Sequence, residues 1–195
     1  MLKAKSPYLV ISLLVLVLDQ WSKWLVEDKV ALFEVLPVIP NLLNITHVQN
    51  TGVAFGMLAS NGDSTGTILL VVLGMAALTF VGFYFYWVPL WDRMLLTALG
   101  LVVGGAVGNL IDRVSQGGVT DFIDFYVGTY HWHTFNVADT AISIGIGLML
   151  LSSFRKPPAE AEASPAEAPE DTETPEDTET KIPAQAADAA EASQG

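Results

Sequence analysis

Three aspartates near the start of the last apolar stretch of this chain have the right chemistry for acid–base catalysis. Asp139 lies in FNVADTAISIG, residues 135–145, with no lysine or arginine within one helical turn. Asp121 and Asp124 lie in the preceding VTDFIDF sequence. Two carboxylates about 3 Å apart cannot both ionise easily, so one retains its proton. The ionised carboxylate can take a proton from water while the protonated one polarises a carbonyl, which is the chemistry of aspartic peptidases.

The spacing of Asp121 and Asp124 leaves open which of them meets Asp139. On a strand the two side chains would face opposite ways, and on a helix they would share a face. Asn136, Asp139, Thr140 and Ser143 follow helical spacing, so this polar stripe must face inward, away from lipid.

A second set of polar residues interrupts the first apolar stretch, in LDQWSK. A charge inside a membrane costs at least ~2.5–3.5 kcal/mol, so it requires a partner or a function. Asp19 and Lys23 are four residues apart and can pair on one helical face. We interpret them as an internal salt bridge that holds the helix against its neighbours, with a substrate-binding or catalytic pair as the alternative.

The third apolar stretch reads GLVVGGAVGNLIDRV. Gly104 and Gly108 form a small-residue face that allows another helix to approach closely. Asn109 and Arg113 either fasten the outer end of the helix bundle or hold a substrate backbone, and the sequence favours neither role. Asp112 is adjacent to Arg113, which offers it a compensating charge.

Composition predicts an integral membrane protein, because 51% of the residues are hydrophobic. The absence of cysteine excludes disulfides and thiolate chemistry. His131 and His133 would supply only two ligands of a metal site, so we predict no metal and no cofactor. The sequence contains no basic patch of the kind that binds nucleic acid, so we predict no nucleic-acid partner.

Four apolar segments are long enough to cross a bilayer, at roughly 8–26, 66–88, 94–113 and 136–154. The lysines and arginines of the short connections and ends predict that both termini are cytoplasmic. The fold class is therefore membrane α-helical. The outer connection at 27–65 contains LNITHV and predicts a small extracytoplasmic β-rich region. The aromatic-rich connection at 114–135 predicts an interfacial loop or helix.

Two domains follow from the change of composition after Lys156. Residues 1–156 form the four-span membrane domain, with a net charge of −2 of the total −12. Residues 157–195 carry eleven acids, one lysine and a tandem PEDTET repeat. We predict that this acidic, low-complexity tail is disordered and unrelated to the activity.

Two other classes of membrane protein, transporters and assembly factors, could also contain aspartates at these positions. A small proton-coupled transporter could relay protons through Asp19, Asp112 and Asp139, but it would need carboxylates spread through the depth of the membrane. The sequence instead gathers Asp112, Asp121, Asp124 and Asp139 near the outer ends of the spans. A non-catalytic assembly factor would contain no indispensable aspartate.

Five motifs resemble those of the lipoprotein signal peptidase family, also called signal peptidase II. They are DQWSK, QNTGVAF at 49–55, GGAVGNLIDR at 104–113, VTDFIDF at 119–125 and FNVADTAI at 135–142, in the family's order and spacing over about residues 8–154. The resemblance implies a bacterial inner-membrane aspartic endopeptidase with its active site at the extracytoplasmic face. Its substrates would be diacylglyceryl-modified prolipoproteins in membrane lipid, cleaved just before the lipidated cysteine. We expect a monomer.

The resemblance also implies roles for individual residues. Asp121 and Asp139 match the catalytic dyad of the family. As candidates for the catalytic role, Asp124 then ranks second and Asp112 lower. Thr120 stands where the family usually has valine, a difference that should not affect the chemistry. The resemblance implies that the residues lining or supporting the site are Asn50, Asn109, Arg113, Asn136 and Asp19. We add Lys23 as the predicted partner of Asp19.

Overall fold

The computed structural model describes residues 2–52 and 65–156. In chain order the elements are α1 (Leu2–Lys29), β1 (Val35–Ile39), β2 (Leu43–Asn50), α2 (Thr65–Trp87), α3 (Arg93–Gln116), β3 (Val119–Val127), β4 (Tyr130–His131) and α4 (Val137–Ser153). The predicted tail at 157–195 lies outside the described residues, as does the VAF portion of the QNTGVAF motif.

The apolar helices match the predicted segments in place but differ in length. Within the described ranges α1, α2 and α3 are long and apolar enough to cross a membrane, whereas α4 has only 17 residues. At 1.5 Å per residue, α4 spans about 26 Å, slightly less than a typical hydrocarbon core. The part of the chain that the structure describes therefore contains four apolar helices, one of them short, as is typical of a multi-pass membrane protein.

Helix α3 lies at the centre and packs against each of the other three helices. Glycines make these contacts close. A methyl group at Gly104 would lie 2.6 Å from the backbone oxygen of Ser12 in α1, and one at Gly105 would meet the backbone oxygen of Ala138 in α4. The close approach that Gly104 and Gly108 predicted is thus confirmed, and α3 holds the start of α4 in place.

Both outer connections contribute to one antiparallel sheet, in the order β1-β2-β3-β4. Strand β2 contains the predicted LNITHV segment. The second connection forms β3 and β4, so the prediction of a loop or helix there is wrong in its element type. Its β-branched and aromatic residues suit a strand, and β2 supplies hydrogen-bonding partners that the local sequence does not reveal.

A small apolar core anchors the sheet to the helix bundle. Val26 and Val30 near the end of α1 pack with Phe122 of β3, and Val137 at the start of α4 joins them. The strand that carries Asp121 and the helix that carries Asp139 therefore share one core.

Candidate active site

Asp121 lies on β3 with its side chain directed toward the start of α4. It is 2% exposed. The Nδ2 group of Asn50 donates to Oδ2 of Asp121 at 3.0 Å, and Nδ2 of Asn136 donates to Oδ1 at 2.7 Å. Each carboxylate oxygen therefore has an amide donor.

Asp139 lies in the first turn of α4, where Asn136 is the N-cap residue. The Asn136 side chain accepts from the Asp139 backbone N–H at 2.9 Å, and the Asp139 carboxylate accepts from the Asn136 backbone N–H at 3.3 Å. This reciprocal capping box stabilises the start of the helix. The Asn-x-x-Asp spacing is the sequence signal for such a box, which the predictions above do not include.

Two asparagines connect the two aspartates. Asn136 bonds to Asp121 through its side chain, and Nδ2 of Asn109 donates to Oδ1 of Asp139 at 2.7 Å. Nδ2 of Asn136 also lies 3.3 Å from Oδ1 of Asn109. Within residues 2–52 and 65–156, neither aspartate forms a salt bridge. The hydrogen bonds that the two carboxylates accept therefore come from neutral amide and backbone donors.

Both aspartates line one cavity of about 600 Å³ at the junction of the sheet and the helices. Arg113 is the cationic residue of its wall, and Asn50 and Gly52 also contribute. Thr140 and Ser143 line the same cavity, so the polar stripe of α4 faces inward as predicted. Trp132–Phe135 form another part of the cavity wall. The sequence did not predict this wall, and it suggested only a metal-ligand role for His133.

Burial raises the pKa of Asp121 from its ordinary value of 3.8 to about 7. The hydrogen bonds from Asn50 and Asn136 oppose this rise, and the nearby Asp139 carboxylate adds to it. A carboxyl group with a pKa near neutrality can hold or release a proton under physiological conditions, as acid–base catalysis requires.

A buried cluster of polar side chains around Lys23 contacts the residues that hold the site. Its Nζ lies 2.8 Å from Asp19 and 2.7 Å from Asp112, so the predicted Asp19–Lys23 pairing is confirmed. Nζ also donates to Oδ1 of Asn109 at 3.0 Å, and Asp19 accepts from the backbone N–H of Ala138 at 2.8 Å. The cluster thus contacts both the asparagine beside Asp139 and the first turn of α4.

The partner of Asp112 differs from the predicted one. Asp112 pairs with Lys23 and accepts from Gln20 of α1 at 2.8 Å, whereas Arg113 donates to the backbone oxygen of Asn109 at 3.1 Å. Adjacent residues on a helix point about 100° apart, so Asp112 faces α1 while Arg113 faces the cavity.

Asp124 points away from the cavity that holds Asp121, as expected for a strand at odd spacing. It accepts from Nδ2 of Asn44 at 2.8 Å, and Nδ1 of His131 lies 2.9 Å from it. His133 lines the cavity instead. The two histidines of the HWH sequence therefore have different surroundings.

Known proteins of similar sequence show the family to which this chain belongs. The family model described as signal peptidase (SPase) II matches residues 11–155. The lipoprotein signal peptidase of Solibacter usitatus (strain Ellin6076) is 43% identical over 145 residues, 74% of this chain and 88% of that protein. The lipoprotein signal peptidase of Syntrophus aciditrophicus (strain SB) is 41% identical over 149 residues, 76% and 92% of the two chains.

A solved structure has the same fold. A bacterial membrane enzyme determined by the in meso method at 1.9 Å resolution aligns with a TM-score of 0.68 and 28% identity, over 78% of this chain and 95% of that one. The chain belongs to the signal peptidase II family, and it is a membrane-embedded peptidase. The transporter and assembly-factor alternatives are set aside by this membership.

Proposed function

We propose that Asp121 and Asp139 are the catalytic dyad with which this signal peptidase II removes signal peptides from prolipoproteins. We further propose that the prolipoproteins are diacylglyceryl-modified and that the cut falls just before the lipidated cysteine. The observation that carries the dyad assignment is that both carboxylates line one cavity and are hydrogen-bonded by asparagine amides, and that neither forms an ion pair within the described part of the chain. Family membership supports the substrate class.

In the proposed reaction the dyad shares one proton and holds one water molecule. The ionised carboxylate takes a proton from the water, whose oxygen attacks the scissile carbonyl carbon. The protonated carboxyl donates its proton to the carbonyl oxygen, which gives a tetrahedral diol. As the C–N bond breaks, the carboxyl that took the proton from water gives it to the leaving amine, and the other carboxyl regains a proton from the diol.

The supporting residues divide into two groups. The amide of Asn109 already contacts Lys23, Asn136 and Asp139, so Asn109 and Asn136 position the dyad. Arg113 lines the cavity, and its guanidinium has five N–H donors, only some of which the Asn109 backbone oxygen can occupy. We assign Arg113 to the substrate backbone.

Asn50 donates to Asp121, and its Oδ1 accepts from the backbone N–H of Gly52 at 3.0 Å. It therefore orients Asp121 from the β2 side. Asp19 and Lys23 contribute by stabilising the start of α4. We place the protein in the bacterial inner membrane with four spans, cytoplasmic termini and the cavity at the extracytoplasmic face, where a signal peptide enters sideways from the lipid.

Replacing either dyad member tests this assignment directly. Asp121→Asn and Asp139→Asn keep the side-chain shape but remove the titrating group. Each should lower the turnover number for a synthetic diacylated prolipoprotein peptide by at least about 10²–10⁴-fold, measured by mass spectrometry with purified protein in detergent. Thermal unfolding should show that both variants remain folded.

Asp124→Asn is the matched control, because it removes a carboxylate from the same strand outside the cavity. It should retain most of the wild-type turnover number at saturating peptide. Cleavage that persists in Asp139→Asn, or an equal loss in Asp124→Asn, would contradict the dyad. Cleavage of the same peptide without its diacylglycerol group at an equal rate would contradict the substrate class.

A further inference from the structure

Asp124, the aspartate that the proposed dyad does not use, is the centre of a link between three strands. It is 5% exposed and pairs across the sheet with Asn44 of β2, which donates to its Oδ2. From β4, Nδ1 of His131 lies 2.9 Å from Oδ1 and 3.0 Å from Oδ2. A carboxylate only accepts, so this nitrogen carries the hydrogen and donates it. The link therefore ties β4 to β3.

The segment that follows His131 forms one wall of the cavity. Trp132, His133, Thr134 and Phe135 all line the cavity beside the dyad. This segment has no regular secondary structure of its own between β4 and the backbone bridge from Phe135 to Ile123. The segment is attached to the sheet at both of its ends, at His131 and at Phe135.

The attachment at the His131 end has few backbone contacts. Strand β4 has two residues, which pair with Tyr126 and Val127, and one further bond joins the Trp132 N–H to the Phe125 oxygen at 2.7 Å. The His131 ring adds a hydrogen bond to a buried carboxylate and stacks on the Tyr126 ring, with centroids 5.0 Å apart and planes inclined by 9°. A two-residue strand at a sheet edge is weakly held without such contacts.

We propose that Asp124 and His131 are positioning residues that hold the Trp132–Phe135 wall against the substrate. This inference rests on the proposed function, since it requires that the cavity binds the peptide. The pair does not touch the dyad's hydrogen-bond network, so it acts on substrate binding rather than on the chemical step.

The test compares two replacements of His131 in the full-length protein with the diacylated peptide. His131→Leu removes the donor and should raise KM about tenfold, the equivalent of one hydrogen bond to a charged group, with the turnover number within about twofold of wild type. His131→Asn places an amide N–H near the position of Nδ1 and should return KM to within about threefold of wild type.

His47→Leu is the matched control in the same sheet. Nδ1 of His47 lies 2.9 Å from the Val30 oxygen, and His47 does not line the cavity. Its replacement should leave KM unchanged even where it lowers the unfolding midpoint. A wild-type KM in His131→Leu, an equal KM rise in His47→Leu, or no recovery in His131→Asn would overturn the proposal. Failure of the proposed function would instead appear as no cleavage by the wild-type protein.

Discussion

Each polar residue around the cavity has a role that depends on its direction. Asp139 accepts from Asn109 and also completes the capping box of α4, so one carboxylate serves helix stability and the proposed chemistry. The two alternatives for a carboxylate at a helix start, structural and chemical, are therefore compatible. Asp121 and Asp124 are close in sequence, yet only Asp121 shares a cavity with Asp139.

The pH dependence of cleavage should follow the protonation of one residue, Asp121. Because burial raises the pKa of Asp121 to about 7, the dyad should keep its shared proton below neutral pH and lose it above. We expect kcat/KM to decline as pH rises through about 7, measured with the diacylated peptide in detergent. A rate that stays constant up to pH 9 would contradict a shared proton at Asp121.

Stability gives an independent check on the same group. The folded-state pKa of Asp121 lies above the ordinary value of 3.8, so the folded protein binds this proton more tightly than the unfolded chain. The wild type should therefore lose thermal stability relative to Asp121→Asn as pH rises from 3.8 to about 7, and the difference should be constant at higher pH.

At the scale of elements, α3 determines how the site is assembled. It packs on α1 through Gly104 and on α4 through Gly105. Its Arg113 lines the cavity, and its Asn109 donates a hydrogen bond to Asp139. Close packing of backbones by small residues is a common way to join helices in lipid. The buried Lys23 cluster then connects α1 to the start of α4.

Gly105→Ala should disturb this assembly. The added methyl group would collide with the backbone oxygen of Ala138, which cannot move without shifting the turn that carries Asp139. We expect a loss of about 1–3 kcal/mol in stability, seen as a lower unfolding midpoint in detergent, together with reduced cleavage. Gly147→Ala in α4 is the control, because an added methyl group there meets no atom within 4 Å. Equal midpoints for the two variants would contradict the packing role of Gly105.

At the scale of the whole molecule, the apolar helices carry a sheet at one end. Many large apolar side chains on α2 are exposed, including Phe80 at 70% and Phe83 at 65%, as expected for a surface that contacts lipid. The sheet follows the C-terminal ends of α1 and α3, and its residues Asn50 and Asp121 line the cavity. This arrangement suits a substrate that is itself anchored in the bilayer.

The proposed orientation can be tested by cysteine labelling, because the chain contains no cysteine. Val127→Cys is on the sheet and Phe154→Cys follows α4, and the native side chains are 72% and 85% exposed. A membrane-impermeant maleimide added to cells with a permeabilised outer membrane should label Val127→Cys. It should reach Phe154→Cys only after the inner membrane is disrupted. The reverse labelling pattern would show that the membrane orientation is opposite to the proposed one.

Local patterns in the sequence were sufficient for several features. Runs of apolar residues predicted the positions of the helices, and the four-residue spacing predicted the Asp19–Lys23 pair. The glycines of α3 predicted close helix contacts. Each of these depends on residues within one or two helical turns, where chemistry and periodicity determine the outcome. The motif resemblance was needed to choose Asp121, because spacing alone left Asp124 equally eligible.

Tertiary structure decided the features that depend on distant parts of the chain. Strand β3 exists because β2 pairs with it, and that pairing separates Asp121 from Asp124. Lys23 rather than Arg113 neutralises Asp112, since α1 lies beside that face of α3. The bridge through Asn109 and Asn136 joins two elements across 27 residues. Such contacts are set by long-range packing and strand register. The periodicity of a single segment does not predict them.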